Sequence, residues 1–226
     1  MNNPSLSIPW SDIDTLLLDM DGTLLDLHFD SYFWKEYVPL KYAEKCGLDI
    51  KTSREILTPR FRAAEKTLNW YCIDYWSETL DLDIGLLKKD VAHLITFKPL
   101  AKEFLTTMRK KNKRLVLVTN AHEKSLGLKL EHTLLDHYLD QIISAHDVGL
   151  PKENVLFWNQ LLTYASFDKE KSLLIDDNLH ALASAKDYGI KHLLAVKQPS
   201  SKDAPMNTGT FMAMNDFSEL LNSVTG

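Results

Sequence analysis

The first regular feature of the chain is an uninterrupted apolar run, residues 15–18, that stops at Asp19 and is followed by the turn signal Asp21-Gly22. A short run of this kind predicts a strand buried on both faces, as in a parallel sheet. From about residue 26 to residue 97 the spacing turns helical and no strand pattern interrupts it. Asp30 or Ser31 reads as the cap of a first helix ending near Gly47. Thr52 with Glu55 reads as the capping box of a second. Pro39 and Pro59 fall inside these two patterns and predict kinks or boundaries. A third helix is expected over 73–79, and a fourth from near Asp83.

Beyond Pro99 helices and strands alternate. Pro99 suits a first helical position, with the helix running to the basic cluster at 109–114. Strands are expected at 115–118, 141–144, 172–175 and 192–196. Helices are expected after Asn120, from just past Pro151, and over 179–188, where Gly189 stops the last. Residues 197–210 read as loop. Such alternation implies an α/β fold, a Rossmann-like parallel sheet with helices on both faces. The helical block directly after the first strand reads as an inserted, all-helical cap. The expected division is therefore a core of residues 1–25 and 98–226 with a cap of 26–97.

Composition narrows the partners rather than the fold. Of the 226 residues 45% are apolar, enough for a substantial core, and the net charge of −5 argues against a nucleic-acid polymer or an anionic membrane as partner. No apolar run reaches membrane-spanning length, and the stretch 1–10 shows no basic-then-apolar leader pattern. Cys46 and Cys72 lie too far apart in sequence for a metal-ligand motif. A reducing, cytoplasmic location is the expectation.

The chemistry collects at strand ends, where parallel sheets bind ligands. Asp19 and Asp21 follow the first strand, Thr119 and Asn120 the second, and Asp176 and Asp177 the fourth. Lys152 is expected to begin the helix after the third. Carboxylates meeting at one point repel each other, and a divalent cation relieves the repulsion. Oxygen ligands without His or Cys suit magnesium. A lysine and a hydroxyl then complement the phosphate oxygens that the cation leaves free. Taken singly, each motif has an ordinary reading as a turn, a helix cap or a solvated side chain. Set together, clustered carboxylates, a hydroxyl and a lysine suit a phosphate ester.

Asp19-Met20-Asp21-Gly22-Thr23-Leu24, Val118-Thr119-Asn120, Lys152 and Leu174-Ile175-Asp176-Asp177 resemble, in order, the four motifs of the haloacid-dehalogenase-like hydrolases. The resemblance implies a phosphomonoesterase in which Asp19 is the nucleophile and Asp21 the general acid and base. Thr119 and Lys152 hold the phosphoryl oxygens, with Gly22 and Asn120 among the substrate contacts. Magnesium is implied on Asp19, on Asp21 through its carbonyl, and on the Asp176-Asp177 pair, with Asp177 favoured as the direct ligand.

The runs Thr67-Leu68-Asn69-Trp70-Tyr71-Cys72 and Asp74-Tyr75-Trp76-Ser77-Glu78 resemble the bacterial 5'-nucleotidases of this superfamily that act on GMP and IMP. Lys129-Leu130-Glu131-His132-Thr133 resembles them too, while Leu134-Leu135 departs from their glycine-leucine. A purine mononucleotide is thereby implied as substrate. The aromatic cap supplies stacking surfaces, and Asn69, Trp70, Tyr75 and Trp76 are the candidates for base and ribose. His122 reads as a helix cap or a phosphate contact, and Arg60, Arg62 and Lys66 as a solvated face. Rival readings are a sugar-phosphate or phosphoglycolate phosphatase, a β-phosphoglucomutase-like phosphomutase, and a non-catalytic binding protein on the same scaffold.

Overall fold

A computed structural model describes residues 6–225. Residues 1–5, half of the stretch read for a leader pattern, lie outside the described residues. Six strands form one parallel sheet: β1 (Thr15–Leu18), β2 (Arg114–Thr119), β3 (Gln141–Ser144), β4 (Ser172–Asp176), β5 (His192–Val196) and β6 (Ala213–Met214), in the order β3-β2-β1-β4-β5-β6. All four residues of β1 are buried, because the strand lies at the centre and is covered on both faces. Side chains alternate across the sheet. Leu16, Leu18, Leu115, Leu117, Leu173 and Ile175 enter one core. Leu17, Val116, Val118 and Leu174 enter the other.

Between β1 and β2 come α1 (His28–Tyr32), α2 (Val38–Cys46), α3 (Ile50–Ala64), α4 (Leu68–Tyr71), α5 (Ile73–Leu80) and α6 (Ile84–Asp90). The sheet's remaining helices are α7 (Ala101–Lys110), α8 (Glu123–Thr133), α9 (Ala145–Val148), α10 (Val155–Leu161), α11 (Leu179–Tyr188) and α12 (Phe217–Thr225). The inserted helices share one apolar core with the sheet face of Leu16 and Leu18, through Phe29, Phe33, Leu57 and Trp76. The two chain crossings into the insert run side by side: Asp26 N–H donates to Thr96 O at 2.9 Å, and Lys98 N–H donates to Leu24 O at 2.9 Å.

Several local expectations change. The first helix starts at His28, so Asp30 lies inside it, and its carboxylate is used elsewhere. A π-helical turn, Phe33–Tyr37, joins it to α2, where Pro39 occupies the first turn without breaking the path. The second helix is capped by Asp49, which accepts from the N–H groups of Lys51 and Thr52; the Thr52 hydroxyl donates to Asp49 rather than capping. Pro59 sits inside α3 without ending it. Pro99 precedes its helix: Leu100, at φ 63°, redirects the chain and α7 begins at Ala101. Lys152 stands in a turn ahead of α10 and not in a helix. The short elements α4, α9 and β6 carry too little periodicity of their own to be read beforehand, whereas the terminal α12 is amphipathic, burying Phe217 and Leu220, and is passed over by the sequence reading.

Candidate active site

Register explains why distant residues meet. Leu18 of β1 pairs with Ile175 of β4, so Asp19 and Asp176 leave adjacent strands at the same height. Asp19 N–H donates to Ile175 O at 3.0 Å, and Thr119 closes β2 on the other side of β1. These strand ends form the floor of a cavity of about 950 Å³ whose walls include the inserted helices. Asp19, Asp21, Thr119, Asn120, Lys152, Asp176 and Asp177 all line it.

Lys152 is the hub of this floor. Its Nζ is 2.6 Å from Asp19 Oδ1 and 2.7 Å from Asp176 Oδ2, with the lysine almost wholly buried. Asn120 positions the turn that presents it, accepting from Lys152 N–H at 3.0 Å while donating to Glu153 Oε2 at 3.0 Å. Burial works to lower Lys152, but the Asp176 and Asp19 carboxylates outweigh it and hold the ammonium above its ordinary range.

One lysine cannot match three acids. Asp19, Asp176 and Asp177 bring carboxylate oxygens within 4.8 Å of one another. Against the single Lys152 ammonium, that leaves two negative charges unmatched. Burial raises Asp19 from the ordinary 3.8 to about 6, with the Asp176 charge adding to it. Burial and the neighbouring Asp19 and Asp176 charges push Asp177 well above its ordinary value. Asp19 Oδ2 is buried with no hydrogen-bond partner. An orphaned oxygen costs stability unless something occupies it. An all-oxygen donor set two charges in excess fits a hard divalent cation.

Gly22 closes this corner differently from expectation. At φ 87°, its N–H is committed to Leu25 O at 2.8 Å, and an added Cβ would collide with the Asp177 carboxylate. Its part is close packing against Asp177 rather than donation of a free amide to substrate. Thr119 keeps a free proton: its Oγ1 accepts from Ala121 N–H at 3.0 Å, and its hydroxyl remains a donor toward the cavity.

Asp21 faces the same cavity from a different ion network. Lys129 Nζ on α8 lies 2.6 Å from Asp21 Oδ2 and 2.6 Å from Asp30 Oδ2, and Lys88 Nζ on α6 lies 2.6 Å from Asp30 Oδ1. The two ammoniums sit against Phe29, and Lys88 also against Phe33. Burial lifts Asp21 to about 6 against the pull of Lys129. Burial acts the same way on Asp30, but Lys129 and Lys88 outweigh it and hold that carboxyl well below its usual range.

These shifts predict a pH effect. Asp19 and Asp21 have folded-state values raised from 3.8 to about 6. Their neutral forms favour the folded state, so stability is full below the unfolded value and falls as pH rises through the folded one. Metal-free protein should therefore melt at a lower temperature at about pH 7 than at about pH 5. Magnesium should restore most of the difference at the higher pH and change little at the lower. A magnesium-induced shift of equal size at both pH values would remove the electrostatic account of this cluster.

The candidates in the insert divide. Trp70 lines the cavity. Trp76 does not: it is 1% exposed, its Nε1–H donates to Trp70 O at 3.0 Å, and it stacks edge-on with Phe61. Tyr75 packs against Trp76, and Asn69 is exposed; neither lines the cavity. His122 caps α8, accepting from Lys124 N–H through Nδ1. Arg62 reaches the cavity, whereas Arg60 lies over the Tyr42 ring and Lys66 is exposed.

Sequence reasoning passes over Glu153 and Lys88, and takes Tyr71 only as one of the aromatic faces and Asp30 only as a helix cap. Tyr71 OH donates to Glu153 Oε1 at 2.5 Å, and Asn178 Nδ2 donates to the same oxygen at 2.8 Å. Glu153 thus ties the insert to the loops that carry Lys152 and Asp177. Its position beside Lys152 was the one available signal.

Known proteins resemble this chain in sequence and fold. The model of the haloacid dehalogenase-like hydrolases matches residues 16–195. The GMP/IMP nucleotidase YrfG of Escherichia coli is 38% identical over 97% of this chain and 99% of its own. The pyrophosphatase PpaX of Halalkalibacterium halodurans is 24% identical over 80% of this chain and 82% of its own. The crystal structure of a HAD phosphatase from Thermococcus onnurineus superposes with a TM-score of 0.77 at 21% identity, covering 95% of this chain and 99% of that one.

Proposed function

Because the chain belongs to the haloacid dehalogenase-like hydrolases, we propose that it hydrolyses phosphate monoesters through an aspartyl-phosphate on Asp19, with purine nucleoside 5'-monophosphates, GMP and IMP, as substrates. The observation that carries the reaction is the unpartnered, buried Asp19 Oδ2, set in a carboxylate cluster with two negative charges in excess. Magnesium fits that cluster, held by Asp19, Asp177 and the Asp21 carbonyl with Asp176 supporting; bound there, it supplies electrostatic screening between carboxylate and phosphate.

The chain's own groups account for the rest. An Asp19 oxygen attacks phosphorus, and the ester oxygen leaves with the proton carried by Asp21. Asp21, now a carboxylate, takes a proton from water as that water attacks the phosphoryl group. Inorganic phosphate departs and Asp19 is regenerated. A carboxyl near 6 exchanges a proton in both directions close to neutrality. Lys152 and the Thr119 hydroxyl hold the equatorial oxygens, where negative charge accumulates.

Residues 26–97 act as the cap over residues 1–25 and 98–226, and Tyr71–Glu153 is one of the contacts that opening would break. The paired crossings at Asp26 and Lys98 are suited to a hinge. Two observations support a purine nucleotide. The relative that is 38% identical, aligned over nearly its whole length, is a GMP/IMP nucleotidase. The cavity of about 950 Å³ offers Trp34, Phe61, Trp70 and Tyr71 as faces for a base, with Arg62 nearby. The location expected for such an enzyme is the cytoplasm, and no described helix is long and apolar enough to cross a membrane.

A panel of IMP, GMP, AMP, phosphoglycolate and sugar phosphates with magnesium tests this reading. IMP and GMP should give the highest kcat/KM, with stoichiometric release of free phosphate. A higher value for phosphoglycolate or a sugar phosphate would overturn the specificity, and phosphate return to a second hydroxyl would indicate a mutase.

A further inference from the structure

Outside the cavity lining, three side chains with nitrogen or sulfur donors meet at the seam between the insert and the sheet. Cys72 caps α5, His122 caps α8, and His146 lies on α9. One donor atom from each lies within 4.8 Å of the other two. We propose that this trio binds one zinc-class transition-metal ion, separate from the magnesium-type carboxylate cluster.

The donor chemistry supports the assignment. One thiolate and two imidazoles select zinc over magnesium, the reverse of the all-oxygen cluster. Tetrahedral zinc, with bonds of roughly 2.0–2.3 Å, sets its donors about 3.3–3.8 Å apart. A separation within 4.8 Å therefore needs only small side-chain movements to close.

The present hydrogen bonds leave the donors available. His146 Nε2 is buried without a partner, an orphan that a metal would satisfy. His122 Nδ1 accepts only one long bond, 3.4 Å from Lys124 N–H, and its Nε2 lies 3.9 Å from Asp74 Oδ2. Ligation through Nδ1 would replace the Lys124 contact, because a ring nitrogen has one lone pair, and would leave the Nε2–H for that carboxylate, the usual outer partner of a metal-bound histidine. Cys72 Sγ accepts a single 3.4 Å contact from Tyr75 N–H, which a metal-bound thiolate can keep.

Position gives the site a consequence. Cys72 belongs to the insert, while His122 and His146 stand in the segments that directly follow β2 and β3. Ser144 Oγ, just before α9, donates to Ala121 O at 2.8 Å, joining both histidine loops to the Thr119–Asn120 floor. An ion shared across this seam staples the insert against the sheet and slows any reaction that requires the two to separate.

The test uses the full chain, stripped of metal and held in excess magnesium so that the carboxylate cluster is occupied. Calorimetric titration should show one zinc per chain. Cobalt(II) in place of zinc should give thiolate-to-metal charge-transfer absorption, and Cys72→Ser should abolish that band. Cys72→Ser and His146→Gln should each weaken zinc binding by roughly a hundredfold or more, beyond the loss that an outer partner alone causes. Asp177→Asn should leave the band unchanged. Zinc should slow phosphate release by wild type and not by Cys72→Ser. A cobalt spectrum without the thiolate band, or zinc affinity unchanged in a folded Cys72→Ser or His146→Gln protein, would overturn the site. Neither result bears on monoester hydrolysis, which the substrate panel decides separately.

Discussion

Asp19→Asn is expected to lower kcat/KM by on the order of 10⁵-fold or more while leaving the fold intact, the scale seen when a covalent nucleophile is removed. The amide matches the carboxylate in shape and can keep an oxygen acceptor toward Lys152, now 2.6 Å from Asp19 Oδ1. It also removes one negative charge from a cluster that already holds two in excess. Metal-free Asp19→Asn should therefore melt no lower than wild type at neutral pH, and its stabilisation by magnesium should shrink. Phosphate release under saturating magnesium, measured beside a melting curve, tests both halves. Residual activity above about one per cent in a folded, magnesium-binding variant would remove Asp19 from the role of nucleophile.

Lys129→Met should be the most damaging substitution outside the strand ends. Lys129 is 1% exposed and is shared by Asp21 and Asp30. Removing one member of a buried ion network leaves its partners charged and dry, at a cost of about 3–5 kcal/mol. For a chain of this size that corresponds to a melting temperature lower by on the order of 10 °C. Activity should fall as well, with a signature that lost stability alone would not produce. Lys129 pulls Asp21 down against burial. Without it the Asp21 carboxyl stays protonated to higher pH, so the alkaline limb of kcat/KM moves upward. The acid limb, which belongs to ionisation of Asp19, stays in place. A uniform loss across the pH range would reduce Lys129 to a packing role.

Each ammonium of that network compensates for burial that the apolar insert imposes. Phe29 and Phe33 dehydrate the region and also present ring faces to Lys88, at 4.7 and 4.8 Å. The aromatic residues of the insert thus serve two purposes. Trp76 builds its core, whereas Trp34, Phe61 and Trp70 are half-buried and reach the cavity. The π-helical turn at Phe33–Tyr37 widens the helix where Trp34 and Lys35 reach the cavity.

By itself the sequence determined the parallel sheet, the interrupting helices and the acids at the strand ends. Those are local signals: an apolar run of four residues ending at Asp19, and another ending at Asp176-Asp177, each announce a buried strand and its polar terminus. Register then brings Asp19 and Asp176 together with no further information. Tertiary structure decided what lies beside them. Lys129 stands 108 positions from Asp21, and Cys72 stands 50 from His122 and 74 from His146. No periodicity reports such meetings, because they follow from how helices dock and not from how each helix forms. For the same reason four aromatic or polar cap residues looked equivalent in sequence, yet docking left only Trp70 facing the cavity and placed Trp76 in the core.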